Sequence, residues 1–588
     1  MHTMITNALR SCLIAGFCLS HAIDGRAQGT PPGTPRANQA ILSDAARLLP
    51  AKAVRGMVSS QEAQATRIGV DILRRGGNAV DAAVAVGFAL AVTLPRAGNI
   101  GGGGFMLVHR AASADTIAID YRETAPAAAT ATLFLDDKGE AVPQKSRDSG
   151  LAIGTPGTVG GLALAHRKYG SGRFSLADLI APAISLARDG IIIDNDLADS
   201  LGGGAARLAR HASSRAIFFS GDKPLATGNR LVQSDLAATL SAIAASGPDA
   251  FYRGAIAEKI VAATRALGGI MTSQDLADYR VIERQPVKGQ YRGYDIFSMP
   301  PPSSGGVHLI QILNILEGYD LAALGAGSAT GLHLLVEAMK PAYADRAQFL
   351  GDPDRVKIPL RGLIDKAYAA SLRAKINVEQ ARKADDIAAG NPLAHESDQT
   401  THFSIVDAEG NAVANTYTLN FSYGVGMVAE GTGVLLNNEM DDFSAKPGAQ
   451  NAYGLVGSNA NSVSPGARPL SSMTPTLVFR NNKLFLVTGS PGGSRIITTT
   501  LQVISNVIDH GMNIAEAVAA PRVHHQWRPD FLLTETGQSP DTLRLLEARG
   551  HKVVIGSTSG SANSIMLTKD GLTGASDPRQ RGTLAEGY

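Results

Sequence analysis

The distribution of apolar residues predicts helices early in the chain and strands after them. From Ser59 to Leu94 apolar residues recur at helical spacing, and the pair Gly76-Gly77 separates an amphipathic helix from a second helix. The second segment, Val80 to Val92, is apolar on most sides, which predicts a buried helix. A glycine run then leads into two predicted strands, and Arg122 stands at the end of the second, Thr116 to Tyr121.

The middle of the chain, from residue 150 to about 390, is predicted to be mostly helical. A strand at Tyr294 to Met299 and the loop PPPSSGG interrupt it. The predicted helices are Ser175 to Asp189, Leu231 to Ser246, Gly254 to Leu267, Val307 to Leu316 and Thr330 to Leu350.

The pattern changes to alternation of apolar and polar residues at Thr400. THFSIVD and AVANTYTL alternate on either side of the turn AEGN, which predicts a hairpin. GTGVLLN and LVFRNNKLFLVTG predict further strands, and the tail reads as strand, helix, strand and hairpin. Two helices are predicted between them, at Ser494 to His510 and Ile514 to Ala520. Antiparallel sheet with helical layers on its faces is the architecture this order favours.

Composition and charge exclude several classes of protein. The 588 residues are 44% apolar and 18% charged with a formal net charge of +2, which gives no electrostatic reason to expect nucleic acid or a membrane surface as a partner. The chain has no GxxxxGK[ST], GxSxG or HExxH motif, so a P-loop, a hydrolase elbow and a zincin site are not expected. The pair His524-His525 fits a structural or surface role better than a metal site.

The N-terminus resembles a secretory signal peptide. Ser11 to Ser20 is a short apolar run after a basic start, and small residues favour cleavage after Ala27, with Ala22 as the alternative. Such a run is too short to span a hydrocarbon core of ~30 Å. Both cysteines, Cys12 and Cys18, lie in this segment, so the mature chain would contain no disulfide and no cysteine ligand. Residues 28–45, rich in Pro, Gly and Thr, are expected to form a flexible leader.

The segment QTTHFSIVD contains a candidate nucleophile. A threonine hydroxyl becomes reactive when its own free α-amino group takes the proton, and that amine titrates near ~7.7–8.0. Thr400 would qualify only if the bond after Gln399 were cut. Taken alone, the segment is explained more simply by two β-branched strand residues.

The glycines in SPGGSR are a second candidate feature. Gly492 and Gly493 offer backbone N–H groups just before a predicted helix, where a developing negative charge is stabilised. Without other information, a strand-to-helix turn is the simpler explanation of these two glycines.

Several long motifs together carry a resemblance to a known family. QTTHFSIVD, NTYTLN, LLNNEMDDFS, RPLSSMTPT and TGSPGGSRIITT, followed by HHQW and GASDPR, resemble in order and spacing the small subunit of the gamma-glutamyltranspeptidase family. Upstream, GGNAVDAAVA, GNIGGGGFM, DYRETAP and MPPPSSGG resemble its large subunit. The resemblance extends over nearly all of residues 50–588.

The resemblance implies a fold, a maturation step and an activity. The fold is the α+β four-layer αββα sandwich of N-terminal-nucleophile hydrolases. The precursor would cut itself between Gln399 and Thr400, and the large subunit (46–399) and small subunit (400–588) would stay together as an αβ heterodimer. The implied activity, which needs no cofactor or metal, transfers the gamma-glutamyl group of glutathione or a related compound through a gamma-glutamyl-threonine ester to water, an amino acid or a peptide. A periplasmic or secreted location is expected.

The resemblance also implies roles for individual residues around the reacting amide. Thr400 would be the nucleophile, Gly492 and Gly493 the oxyanion hole, and Thr418 a hydrogen-bonding neighbour of the nucleophile. His402 would have only a supporting role. The segment Pro447 to Asn459 would be a lid whose Tyr453 gates the pocket.

The remaining implied residues hold the two charged groups of the glutamyl head. Arg122, Ser471 and Ser472 would bind its α-carboxylate, since arginine can grip a carboxylate with two hydrogen bonds. Asn420, Glu439 and Asp442 would bind its α-ammonium. Opposite charges at the two ends of the head would explain a preference for free glutamyl groups. Because Thr418 and Asn420 are two residues apart, both are expected on one side of a strand.

Two other functions remain open at this stage. A cephalosporin-type acylase of the same fold would accept a glutaryl group without an ammonium, although Glu439 and Asp442 would repel such a dicarboxylate. A gamma-glutamyl-binding protein that is never cleaved would belong to another class, and an intact Gln399–Thr400 bond would favour it.

Overall fold

The structure is a computed structural model that describes residues 48–390, 401–446, 458–556 and 560–588. The predicted signal peptide and leader therefore lie outside the described residues. So do the cleavage pair Gln399 and Thr400, and Tyr453 with most of the predicted lid.

Helices and strands occur throughout the described part of the chain. The helices are α1 (Ala63–Arg74), α2 (Ala79–Thr93), α3 (Pro143–Arg147), α4 (Thr158–Tyr169), α5 (Leu176–Asp189), α6 (Asn195–Leu208), α7 (Ala212–Phe218), α8 (Ser234–Ser246), α9 (Asp249–Tyr252), α10 (Ala255–Ala266), α11 (Ser273–Asp278), α12 (Gly305–Leu316), α13 (Leu321–Leu324), α14 (Ala329–Phe349), α15 (Leu360–Leu363), α16 (Lys366–Arg373), α17 (Arg495–Ile508), α18 (Ile514–Ala519) and α19 (Pro540–Ala548). The strands are β1 (Ala51–Ala53), β2 (Met57–Ser60), β3 (Gly103–Arg110), β4 (Asp115–Tyr121), β5 (Ile191–Ile192), β6 (Phe219–Ser220), β7 (Lys223–Pro224), β8 (Arg230–Leu231), β9 (Ile282–Arg284), β10 (Val287–Tyr291), β11 (Tyr294–Ser298), β12 (Thr401–Val406), β13 (Ala412–Thr418), β14 (Val428–Ala429), β15 (Val434–Leu435), β16 (Thr476–Arg480), β17 (Lys483–Thr488), β18 (Val523–His524), β19 (Leu532–Thr534), β20 (Val553–Ile555), β21 (Asn563–Thr568), β22 (Gly571–Ser576) and β23 (Leu584–Gly587).

Two antiparallel sheets form the centre of the molecule. Within the described ranges each has seven strands, in the order β1-β22-β21-β17-β16-β11-β10 for sheet I and β23-β2-β12-β13-β3-β4-β9 for sheet II. Strand β12, which begins one residue after Thr400, lies between β2 and β13 near the middle of sheet II. The start of this strand is paired with β13, where Thr401 lies opposite Tyr417, whereas β2 pairs only with Ser404 to Val406.

Alternating side chains divide the core into layers. On β3, Phe105 and Leu107 contact residues of sheet I such as Leu477, whereas Met106 and Val108 pack against the helices. Helices α1, α2, α4, α5, α8 and α10 cover the outer face of sheet II, and α12, α14, α16, α17 and α18 cover sheet I. This arrangement confirms the predicted four-layer αββα sandwich.

The predicted elements are found in the structure, with differences at three places. In the middle segment, β9 and β10 form edge strands of sheets II and I that the sequence analysis did not predict. Helix α1 begins at Ala63 because the Glu62 side chain caps it, so Ser59 belongs to β2 instead. The segment GTGVLLN contains only the two-residue strand β15, which pairs with β14 outside both large sheets. Helix α2 is buried along its whole length, as its apolar composition predicts. No helix within the described ranges is both long and apolar enough to cross a membrane.

Candidate active site

The glycine run after α2 lets the start of β3 lie close to the end of β13. A Cβ atom added to Gly102 would lie 2.0 Å from the Thr418 carbonyl oxygen, and one added to Gly104 would lie 2.4 Å from the Thr416 carbonyl oxygen. Only glycine allows this approach. Asn99, just before the run, donates its side-chain amide to the Thr418 carbonyl at 2.8 Å. The end of β13 is thus fixed at Thr418.

The geometry around Asn420 differs from the prediction. Strand β13 ends at Thr418, and Asn420 adopts a positive φ of 70°, so the two residues do not share a strand face. The prediction was wrong because the chain turns here: the Asn420 N–H donates to the Thr418 hydroxyl at 2.8 Å. The Asn420 amide donates to the Asn438 carbonyl at 2.9 Å, which ties this turn to the acidic segment that follows Asn438.

Arg122 is the centre of a buried ionic cluster. It follows β4 directly and is fully buried, as are Glu439 and Asp442 on the 3₁₀ turn Glu439–Asp442. Its guanidinium pairs with one oxygen of Glu439 and one of Asp442. The opposite charges are therefore in direct contact, not at two separate ends as the sequence predicted. A buried charge requires a partner of opposite charge, and here the arginine and the two acids are partners for one another.

A third acid, Glu123, belongs to the same cluster. It is fully buried, and one of its oxygens lies 3.8 Å from Nη1 of Arg122. Burial raises the pKa of Glu123 to about 7 and the pKa of Glu439 to about 8, although the charge of Arg122 opposes both shifts. Burial raises the pKa of Asp442 as well. One arginine cannot balance three ionised acids, so this cluster holds protons at neutral pH.

The outer oxygens of the two paired acids are open. Among the described residues no N–H or O–H donor reaches Oε2 of Glu439 or Oδ1 of Asp442. Unpaired buried acceptors are costly, and they are expected where a ligand supplies the donor.

Ser471 and Ser472 offer hydrogen-bond donors, whereas Glu439 and Asp442 offer acceptors. The Ser471 hydroxyl oxygen accepts the Met473 N–H at 3.2 Å, and the Ser472 hydroxyl oxygen accepts Nη2 of Arg346 at 2.7 Å. Neither hydroxyl proton meets an acceptor within the described part of the chain. Both serines are therefore available as donors to an anion, and the Leu470 carbonyl beside them accepts a hydrogen bond from Arg122 at 3.3 Å.

The glycine pair before α17 has the form of an anion site. Gly492 and Gly493 have positive φ values of 129° and 58°, and α17 begins at Arg495. Neither glycine N–H donates to an acceptor among the residues that the structure describes. Free N–H groups at the start of a helix fit the expected oxyanion hole.

The histidines take structural positions. His402, on β12, bonds to the Thr416 hydroxyl at 2.8 Å, and burial lowers its pKa to about 3, so it stays neutral. His524 and His525 are buried and contact Thr498 and Asp530. These contacts agree with a supporting role.

Sequence reasoning missed two charged residues at this site. Glu123 follows Arg122 within the motif DYRETAP, so the motif itself could have indicated a role for this acid. Arg346 lies in α14, far from every motif, and nothing in its own segment marked it.

Known proteins resemble this chain closely. A sequence profile described as gamma-glutamyltranspeptidase matches residues 65–587. A glutathione hydrolase proenzyme of Escherichia coli strain K12 is 53% identical over 588 residues, which are 100% of this chain and 99% of that protein. The crystal structure of cephalosporin acylase from Bacillus halodurans matches with a TM-score of 0.82 at 27% identity and covers 95% of this chain and 99% of that one. The structure of Helicobacter pylori gamma-glutamyltranspeptidase has a TM-score of 0.54 at 47% identity and covers 55% of this chain and 93% of that one.

The sandwich of two antiparallel sheets covered by helices is that of an N-terminal-nucleophile hydrolase. The chain belongs to the gamma-glutamyltranspeptidase family.

Proposed function

We propose that the protein is a gamma-glutamyltransferase and glutathione hydrolase that matures by cutting itself between Gln399 and Thr400. One observation supports this substrate class above all. Open carboxylate oxygens remain on Glu439 and Asp442, which pair with Arg122, and Arg122 also donates to the carbonyl of Leu470, which directly precedes two serines with open hydroxyl donors. That set complements the α-carboxylate and α-ammonium of a free glutamyl group.

Binding of this head exchanges one set of ion pairs for another. The substrate α-carboxylate takes donors from Arg122, Ser471 and Ser472. The α-ammonium donates to carboxylate oxygens of Glu439 and Asp442. These include the oxygens that Arg122 releases and the outer oxygens that it does not contact. The substrate ammonium supplies the positive charge and the donors that the buried acids lack, so its binding favours their ionised forms.

The chemistry follows from a free N-terminus at Thr400. In the precursor the Thr400 hydroxyl attacks the Gln399 carbonyl, and water hydrolyses the resulting ester to free the α-amine. The same hydroxyl then attacks the γ-amide of the donor, with the α-amine as general base and then acid. The free N–H groups of Gly492 and Gly493 stabilise the oxyanion, and Thr418 supports the nucleophile. Water or an amine acceptor then releases the gamma-glutamyl group.

The two products of self-cleavage remain one body in this proposal. Strand β12 of the small subunit pairs with β2 of the large subunit, and β13 pairs with β3. Sheet II is therefore built from both parts, which supports an αβ heterodimer. The N-terminal segment, which resembles a signal peptide, supports secretion or a periplasmic location. Tyr453 remains the proposed gate of the substrate pocket.

Binding of glutamate is expected to strengthen as pH rises from about 6 to about 8. Glutamate carries the same head as the donor, and acids that hold protons cannot accept its ammonium. The pKa of Glu123 is about 7 and that of Glu439 about 8, so both ionise over this range. For each proton that is released on binding, the affinity for glutamate rises by up to about tenfold per pH unit. The inhibition constant of glutamate against pH measures the effect.

The matched variant for this pH dependence is Glu439→Gln, which keeps the shape of the side chain and removes its titration. Its inhibition constant should vary less with pH than that of the wild type. A wild-type constant that stays flat, or that rises with pH, would contradict proton release from this cluster.

Donor preference tests the proposed function. The purified protein should hydrolyse gamma-glutamyl-p-nitroanilide faster than glutaryl-p-nitroanilide, which lacks only the ammonium, by about 10²-fold or more. Faster turnover of the glutaryl compound would identify an acylase. Binding of glutamate without turnover of either compound would identify a binding protein.

A further inference from the structure

Arg346 connects a helix of the predicted large subunit to the serine pair of the predicted small subunit. It lies near the end of α14 and is fully buried. Its guanidinium donates Nη2 to the Ser472 hydroxyl at 2.7 Å and Nε to the Ser304 hydroxyl at 3.0 Å. A guanidinium only donates, so both serine oxygens must act as acceptors here.

This polarity determines the direction of the Ser472 hydroxyl. Once its oxygen accepts from Arg346, its proton must point elsewhere, and it meets no acceptor within the described residues. The proton is thus left available to a ligand. A hydroxyl that rotated freely would spend part of its time presenting lone pairs to an anion.

The loop PPPSSGG holds the serine backbone from the same side. Ser471 N–H donates to the Pro302 carbonyl at 2.7 Å, and Ser304 N–H donates to the Ser471 carbonyl at 2.7 Å. The single proton of the Ser303 hydroxyl is shared between the Ser471 carbonyl at 2.9 Å and the Met473 carbonyl at 2.7 Å. The Ser304 hydroxyl donates to the Ser471 carbonyl at 3.0 Å. This explains why a glycine- and serine-rich loop occurs in the middle of a helical region.

We propose that Arg346 is a positioning residue, which acts with Ser304 to fix Ser472 as a hydrogen-bond donor and so sets the preference for donors that carry an α-carboxylate. The inference rests on the proposed function, because it assumes that Ser472 binds that carboxylate. It assigns a role in substrate selection to a helix that lies far along the chain from the serines.

Two donors separate this role from a general structural one. Gamma-glutamyl-p-nitroanilide carries the α-carboxylate, whereas 4-aminobutyryl-p-nitroanilide keeps the ammonium and the reacting amide but lacks the carboxylate. The ratio of their kcat/KM values measures carboxylate recognition. Arg346→Met is expected to lower this ratio about 10- to 100-fold, chiefly by raising KM for the gamma-glutamyl donor.

A double-mutant cycle tests whether Arg346 acts through Ser472. In the background of Ser472→Ala, the change Arg346→Met should alter the ratio by less than about threefold, because the shared interaction is already lost. Arg346→Lys keeps the positive charge and one hydrogen-bonding nitrogen. Its ratio of kcat/KM values should therefore lie between those of the wild type and Arg346→Met. An equal loss for both donors, or an undiminished effect in the Ser472→Ala background, would overturn the proposal.

Controls keep the outcome interpretable. Arg292→Met removes a different guanidinium, which is partly buried and donates hydrogen bonds to Asp509, Tyr291 and Tyr319 instead of to serines of the site. It should leave the donor ratio unchanged. If Arg346→Met is not cleaved or does not fold, Ser304→Ala and Arg346→Lys replace it, and an unchanged ratio in both would overturn the proposal. A wild-type enzyme that hydrolyses neither donor would instead contradict the proposed function itself.

Discussion

Replacement of Thr400 by alanine is expected to leave the chain uncut and inactive. The variant lacks the hydroxyl that attacks the Gln399 carbonyl, so no ester forms and no N-terminal threonine is produced. Loss of the nucleophile should reduce kcat by on the order of 10⁴- to 10⁶-fold. A denaturing gel and a gamma-glutamyl-p-nitroanilide assay measure the two effects.

Thr400→Ser separates attack from folding. Serine keeps a hydroxyl and an α-amine, so this variant should still be cut, at a different rate. Thr401→Ala alters the neighbouring buried strand residue without removing the proposed nucleophile, and it should also be cut. A cleaved and active Thr400→Ala enzyme would remove the basis of the mechanism.

Replacement of Arg122 by methionine is expected to have the second-largest effect. The change removes the cation that pairs with both Glu439 and Asp442 in a buried cluster. Removing one partner of a buried ion pair costs about 3–5 kcal/mol of stability. It should also reduce kcat/KM for a gamma-glutamyl donor by about 10²- to 10³-fold, because the α-carboxylate loses its charged anchor.

Arg122→Lys is the conservative comparison. Lysine keeps a positive charge but cannot donate to two carboxylates in a fixed plane, so an intermediate loss is expected. For 4-aminobutyryl-p-nitroanilide, which has no α-carboxylate, Arg122→Met should reduce kcat/KM much less. A similar loss for both donors would show that Arg122 serves folding alone.

Local sequence patterns predicted the elements of the fold well. Helix α2 and the hairpin β12–β13 follow directly from apolar periodicity and turn residues, and the motif resemblance supplied the layer order. The turn at Asn420 could not be predicted this way, since it depends on a hydrogen bond to Thr418 and on contact with Asn438. Strand spacing alone cannot show where a strand stops.

The contacts within the site were the least predictable feature. The motifs supplied Arg122, Glu439 and Asp442 as separate residues, yet their direct pairing joins positions more than 300 residues apart. The third acid, Glu123, changes the charge balance of the group and gives the site its expected pH dependence. Arg346 shows the same limit, because its function depends on which serines α14 meets in the folded chain.

The position of the cut tests the central proposal most directly. Purified mature protein should separate on a denaturing gel into fragments of about 39 and about 20 kDa, by proportion of 61.1 kDa over 588 residues. N-terminal sequencing of the smaller fragment should read Thr-Thr-His-Phe, beginning at Thr400. A chain that stays whole after long incubation, or a fragment that begins at another residue, would contradict Thr400 as the nucleophile and the mechanism built on it.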